Sequence, residues 1–258
     1  MKQYTPHIEI VGDADAVAER AASLVIATLR RAEVTRLGLA TGATMAPLYA
    51  RLVEACRTGS VSLRNASSFN LDEYVGVAPE QPGSFHGFMR EHLFEFIDIA
   101  PTRAHIPDGS ARDIAAEAAR YEALIKAAGG IDLQLLGIGA NGHIGFNEPG
   151  SDFSSRTREI KLDEATRRGN AGNFPDAAFV PERAITMGIA TILEARSILL
   201  LATGTEKAAA IAAAIEGPLT TACPASALRL HADVHILCDR AAAAALAHRP
   251  YDGVRRWA

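Results

Sequence analysis

Short apolar runs of strand length alternate along this chain with helix-length amphipathic patterns, and that alternation is what most limits the fold. Residues 8–11, 37–40, 67–71, 131–137, 198–202 and 234–238 read as strands. Asp13 is placed to cap a helix over 14–31, with Val17, Ala21, Leu24 and Leu29 as its apolar stripe. A second helix runs through Leu48 and Val53, and Ser84 opens a third that carries Phe88, Leu93 and Phe96. Ile114, Ala118, Tyr121 and Ile125 recur at spacings of four, three and four, which predicts a helix over 110–128. The last two strands each lead into an Ala-rich helix pattern. Such alternation predicts an α/β chain around a mainly parallel sheet. With no internal repeat and no long linker, a single domain over 1–258 is expected.

Composition removes several function classes. A chain of 258 residues needs neither disulfides nor a metal to hold a core. The 26 Lys and Arg against 30 Asp and Glu give a net charge of −4, which argues against a general nucleic-acid binder. No apolar run reaches the ~18 residues of a membrane span, and residues 1–6 lack an apolar signal core. Cys56, Cys223 and Cys238 are odd in number and widely spaced, so they read as reduced thiols of a cytoplasmic protein.

In open α/β sheets ligands bind beyond the carboxyl ends of the strands, and the unusual residues of this chain gather there. Thr41-Gly42-Ala43-Thr44 is a small-residue turn between a strand and a helix. Its exposed N–H groups and the helix start make a candidate phosphate site. Thr203-Gly204-Thr205-Glu206-Lys207 again links strand to helix. Lys207 there opposes the helix dipole, and a bound phosphate would account for it. Asp72-Glu73-Tyr74 ends another strand, and an acid facing a half-enclosed cleft has a raised pKa and can act as a base.

The most informative segment is 137–150, with five glycines in fourteen residues. Glycine at that density costs chain entropy and lets backbone approach a ligand. Within it His143 can trade a proton near neutral pH, and Glu148, five residues on, can orient it. The GxGxxG spelling at 137–142 lacks a following helix start and a downstream ribose acid, so a dinucleotide is weakly supported. His231 and His235 are four apart, but on a strand edge that spacing does not converge and no HExxH-type partner exists. No metal is expected. The irregular stretch 170–181 reads equally well as a mobile flap or a surface loop.

Taken in order, LGLATGAT (37–44), FNLDEYVGV (69–77), SFHGFMREHLF (84–94), GIGANGHIGFNEPGSDFSSRTR (137–158) and ALRLHADVHILCD (227–239) resemble the glucosamine-6-phosphate deaminase family, from about residue 8 to 247. The DEY and NGHIGFNEPG segments are highly specific. The resemblance implies a Rossmann-like, mainly parallel sheet flanked by helices, of sugar-phosphate isomerase/deaminase type. It implies conversion of glucosamine 6-phosphate and water to fructose 6-phosphate and ammonia, with no cofactor. It assigns Asp72 as the base that moves a proton between C2 and C1, and His143 as the ring-opening shuttle. Glu148 would hold the His143 tautomer, and Asn141 would line the same site. Thr41, Gly42, Ala43, Thr44 and Lys207 would hold the phosphate. Expected partners are a sugar phosphate and further copies of the chain, with neither nucleic acid nor membrane.

Three positions depart from the family pattern. Asn141 stands where Asp is frequent. No Arg stands at the family's phosphate-binding position in the 166–174 run, which leaves Arg168 as a stand-in. Ser151 and Arg158 match a candidate allosteric site for an N-acetyl sugar phosphate, but Ile160 stands where a Lys is expected, with Lys161 one place on. Open alternatives are a galactosamine-6-phosphate deaminase, a phosphosugar lactonase of the same fold, and a non-catalytic sugar-phosphate-binding module.

Overall fold

The computed structural model describes residues 2–174 and 180–247. In chain order the elements are β1 (His7–Val11), α1 (Ala14–Arg31), β2 (Thr35–Leu39), α2 (Ala46–Arg57), β3 (Ala66–Asn70), β4 (Asp72–Tyr74), α3 (Phe85–His92), β5 (Ala104–His105) and α4 (Ile114–Ala128). There follow β6 (Leu133–Leu136), β7 (Arg158–Lys161), α5 (Glu164–Asn170), β8 (Arg183–Thr186), α6 (Ile189–Leu193), β9 (Ser197–Ala202), α7 (Ala208–Ile215) and β10 (Val234–Asp239). Seven strands form one sheet in the order β1-β10-β9-β6-β2-β3-β5, every neighbouring pair parallel.

The sheet forms where the sequence is apolar enough to be buried from both sides. All residues of β6 and β10 are buried, and Leu133, Leu135, Leu199 and Leu200 are fully inaccessible. Each such side chain contributes roughly 1.5–3 kcal/mol on removal from water. The helices start where the sequence offers a cap. Asp13 accepts from Ala16 N at 2.9 Å, Ser84 Oγ from Gly87 N at 2.9 Å, and Asp113 from Ala116 N at 2.9 Å. α1 buries Val17, Ala21, Leu24 and Val25, while Leu29 packs half-buried at the margin.

Three local expectations are corrected. The third helix ends at His92, and Phe94–Phe96 is a short 3-10 turn with Phe96 exposed. The fourth begins at Ile114, after Asp113. The Ala-rich run after β10 forms turns rather than a helix through residue 246.

A second, three-stranded sheet, β4-β8-β7, is antiparallel and was not expected. β3 ends at Asn70, and after Leu71 the chain enters β4, so Asp72 begins a strand instead of trailing one. Tyr74 from this sheet sits among Phe85, Phe146 and Phe174, at ring separations of 4.9, 5.4 and 5.3 Å. Phe174 thereby anchors the start of the 170–181 stretch, of which residues 175–179 lie outside the described residues. Ile160 also packs on this apolar cluster, whereas Lys161 faces outward.

Candidate active site

The carboxyl ends of β2, β3, β6 and β9 open onto one cavity of about 940 Å³. The 41–44 turn, Asp72, the 137–140 segment, His143 and Lys207 all line it, so residues far apart in sequence meet in one compartment. The order β9-β6-β2 places the two threonine–glycine turns on either side of the glycine loop. Thr44 Oγ1 lies 3.5 Å from Thr203 Oγ1. Asp239, at the end of β10, accepts from Gly204 N with both carboxylate oxygens, at 3.2 and 3.0 Å, and so fixes the loop that carries Lys207.

Asp72 is 6% exposed. Burial, followed by the neighbouring Glu73 charge, pushes its pKa up to about 8; hydrogen bonds from the Phe146 backbone and the Thr186 side chain offset this only in part. A carboxyl in that state gains and loses a proton near neutrality, which is what a shared acid–base group requires. Gly145, at φ +54°, passes so close that a Cβ there would stand 3.4 Å from Asp72 Oδ2 and 3.1 Å from Thr186 Oγ1.

Sequence reading missed what Glu73 does. Its buried carboxylate accepts from Tyr74 N at 2.8 Å and from Phe85 N and His86 N at 3.0 Å, and it meets His86 Nδ1 at 3.0 Å. It pins the first turn of α3 to β4 and supplies the like charge that raises Asp72.

His143 lies flat against the glycine loop: a Cβ on Gly139 would be 2.3 Å from its Nδ1. Its Nδ1 is 3.4 Å from Glu148 Oε2, longer than a full hydrogen bond. Asn141 Nδ2 donates to the same Oε2 at 2.8 Å, Thr166 Oγ1 donates to Oε1, and Asn141 Oδ1 accepts from His143 N at 3.2 Å. Burial alone would raise the Glu148 pKa, but His143, Thr166 and Asn141 together hold it below the usual range, as a carboxylate. Asn141 and Glu148 do not line the cavity. Both contact His143, which does line it; Asn141 is exposed and Glu148 is buried. An amide at 141 donates to Glu148 where an Asp would repel it.

Other cavity residues are not singled out individually in the sequence, although they lie in the 84–94 and 166–174 segments. α3 contributes Arg90 and His92, and α5 contributes Thr166, Gly169 and Asn170. Among the described residues Arg90 makes only loose contacts, with Glu91 and Glu95 at 3.9 and 3.6 Å. Arg168 does not line the cavity; its side chain is 74% exposed and 4.0 Å from Glu164. Arg158 and Ser151 do meet, at 3.2 Å, also outside the cavity. Arg158 further donates to Asn147 Oδ1 at 2.9 Å, which ties it to the glycine loop.

At the carboxyl edge of its parallel sheet this α/β chain brings an acid, an imidazole and a threonine–glycine turn at a helix start into one cavity. The profile of the family described as glucosamine-6-phosphate isomerases/6-phosphogluconolactonase matches residues 12–236, and the chain belongs to that family. A glucosamine-6-phosphate deaminase of Shewanella loihica is 52% identical over 244 residues, 95% of this chain and 91% of the relative. One from Rhodopirellula baltica is 49% identical over 242 residues, 94% and 96% respectively. A solved structure of a monomeric glucosamine-6-phosphate deaminase, 44% identical, superposes with a TM-score of 0.91 over 93% of this chain and 99% of that one. The 6-phosphogluconolactonase of Trypanosoma cruzi, 22% identical with a TM-score of 0.75 over 96% of this chain and 99% of its own, shares the fold.

Proposed function

We propose that the chain is an isomerising deaminase that converts glucosamine 6-phosphate and water to fructose 6-phosphate and ammonia. The observation that carries this is Asp72, buried and with its pKa pushed up to about 8, facing the same cavity as His143 and the phosphate-binding turns. Full-length likeness to curated deaminases supports it.

The phosphate sits on the N–H groups of the 41–44 turn at the start of α2, against Lys207. Arg90, rather than Arg168, is the second cation on the cavity wall. Tethering this tail fixes the reacting end and spends remote binding energy on orientation. His143 moves a proton from the anomeric hydroxyl to the ring oxygen, and the sugar opens. Asp72 takes the proton from C2 and returns it to C1, on one face. The resulting imine adds water, and ammonia leaves. Glu148, held by Asn141 and Thr166, keeps the imidazole in the required orientation. Neither a metal nor an organic cofactor takes part in these steps.

Purified protein given glucosamine 6-phosphate and galactosamine 6-phosphate, with ammonia and ketose phosphate followed separately, tests the reading. Equimolar release of both products from the gluco epimer is the expected result. Turnover of neither epimer, or release of one product alone, would overturn it.

Lys207→Ala is expected to raise KM by about 10–100-fold with little change in kcat, since a charge-assisted contact is worth roughly 1.5–3 kcal/mol. An unchanged KM in steady-state assays removes Lys207 from the site. The base must be ionised to act, so kcat/KM is expected to rise with pH up to about 8 and then level off, once the substrate's own titration is divided out. A flat profile through that range contradicts the Asp72 assignment.

We place this chemistry in the cytoplasm, where phosphosugars occur and where free thiols such as Cys56, Cys223 and Cys238 persist. Among the described residues no helix is long and apolar enough to cross a membrane. The expected self-association is measured directly by light scattering.

A further inference from the structure

His235, the second residue of β10, is buried. In the parallel ladder it stands opposite His7, the first residue of the edge strand β1, with ring centroids 4.5 Å apart. Glu9 is two positions along β1 and so projects to the same face. Its Oε2 lies 3.2 Å from His235 Nε2, while its Oε1 accepts a 2.7 Å hydrogen bond from Arg20 Nε on α1. One ligand atom from each of His7, Glu9 and His235 lies within 4.8 Å of the others.

We propose that His7, Glu9 and His235 form a binding site for one divalent transition cation of the zinc class, separate from the catalytic cavity. Two imidazole nitrogens and one carboxylate oxygen are a set that zinc takes, with water in the fourth position. Donor atoms around a tetrahedral zinc stand about 3.4 Å apart, close to the 3.2 Å already between His235 Nε2 and Glu9 Oε2. His7, half-buried on the edge strand, holds its ligand atom within 4.8 Å of the other two. Arg20 grips Oε1 alone and leaves Oε2 turned toward His235, which is how outer-sphere partners orient a ligating carboxylate. The Arg20 charge also weakens the site.

The sequence paired His235 with His231, but His231 turns its Nε2 to Ala195 O at 2.7 Å. The true neighbours come from the other end of the chain. His7 and His235 open their strands, whereas the catalytic residues follow strand ends, so a bound cation would clamp β1, β10 and α1 far from the chemistry.

The test uses full-length protein stripped with a chelator and titrated with zinc chloride, by calorimetry and by thermal melting. Wild type is expected to bind one equivalent, with a higher Tm. His7→Gln and Glu9→Gln are each expected to bind at least tenfold more weakly and to lose the Tm gain. His143→Gln, which removes the cavity imidazole, is expected to keep both. His7→Gln alters a half-buried edge position, so circular dichroism can verify its fold. The proposal is overturned if wild type binds no zinc at one equivalent, if both strand variants bind as wild type, or if His143→Gln is the variant that loses binding.

Discussion

Replacing Asp72 by Asn is expected to cost turnover about 10²–10⁴-fold, the usual share of a placed proton-transfer group, while making the protein more resistant to heat. Two consequences follow from one cause. In the folded chain burial and the Glu73 charge push the Asp72 pKa from 3.8 up to about 8. The unfolded chain therefore gives up this proton at lower pH than the native chain does. The stability contributed by the group is fully present below about 3.8 and is lost as pH rises through about 8. At neutral pH the native state already bears much of that cost, and a neutral amide of the same shape relieves it. Each kcal/mol recovered lifts Tm by roughly 2–4 °C for a chain of this size. Binding of the sugar phosphate, held mainly at the other end of the molecule, is expected to change little. Steady-state kinetics with a melting curve at pH 7 checks both halves. A variant that turns over normally, or that melts well below wild type, contradicts the assignment.

His143→Gln and Glu148→Gln are each expected to lower kcat by about 10²–10⁴-fold, and the double variant by little more than the worse single. Groups that act as one unit lose their function together, so their effects do not add. The geometry argues for a unit. Glu148 receives Asn141 and Thr166 and contacts His143 at 3.4 Å, and Asn141 also accepts from the His143 backbone. An amide at 148 turns an NH₂ group toward one of those donors, which removes the anchor without emptying the space. A double-mutant cycle on kcat measures the coupling. Fully multiplicative losses would mean that the two residues serve separate steps.

Much of the fold could be read from the sequence because its strands are long enough to show a pattern and its helices carry their own caps. The helix over 14–31 was legible from Asp13 and the apolar stripe, and it spans Ala14–Arg31 in the structure. The clustering of Asp72, His143 and the threonine–glycine turns also followed, because parallel sheets gather their loops at one edge. The small antiparallel sheet was not legible. β4, β7 and β8 have only three or four residues each, too few for a period, and they pair Asp72 with Thr186 across a long stretch of chain. The Ala-rich run after β10 has helix propensity but forms turns, where propensity yields to local context. The roles of Glu73 and Arg90 depend on where α3 lands against β4, which no local signal reports. The bond from Asn141 to Glu148 likewise depends on the path of a glycine loop.

The central claim is that one buried carboxylate carries a hydrogen between adjacent carbons of the open sugar on a single face. The most direct measurement is to run glucosamine 6-phosphate deuterated at C2 in deuterated water, so that the label reaches C1 whether the carboxyl hands on its deuterium or exchanges it with solvent, and to locate that label on the fructose 6-phosphate by NMR. Deuterium confined to one of the two C1 positions, with labelling lost in Asp72→Asn, is the predicted result. Equal labelling of both positions, or labelling by Asp72→Asn at the wild-type rate, would contradict it.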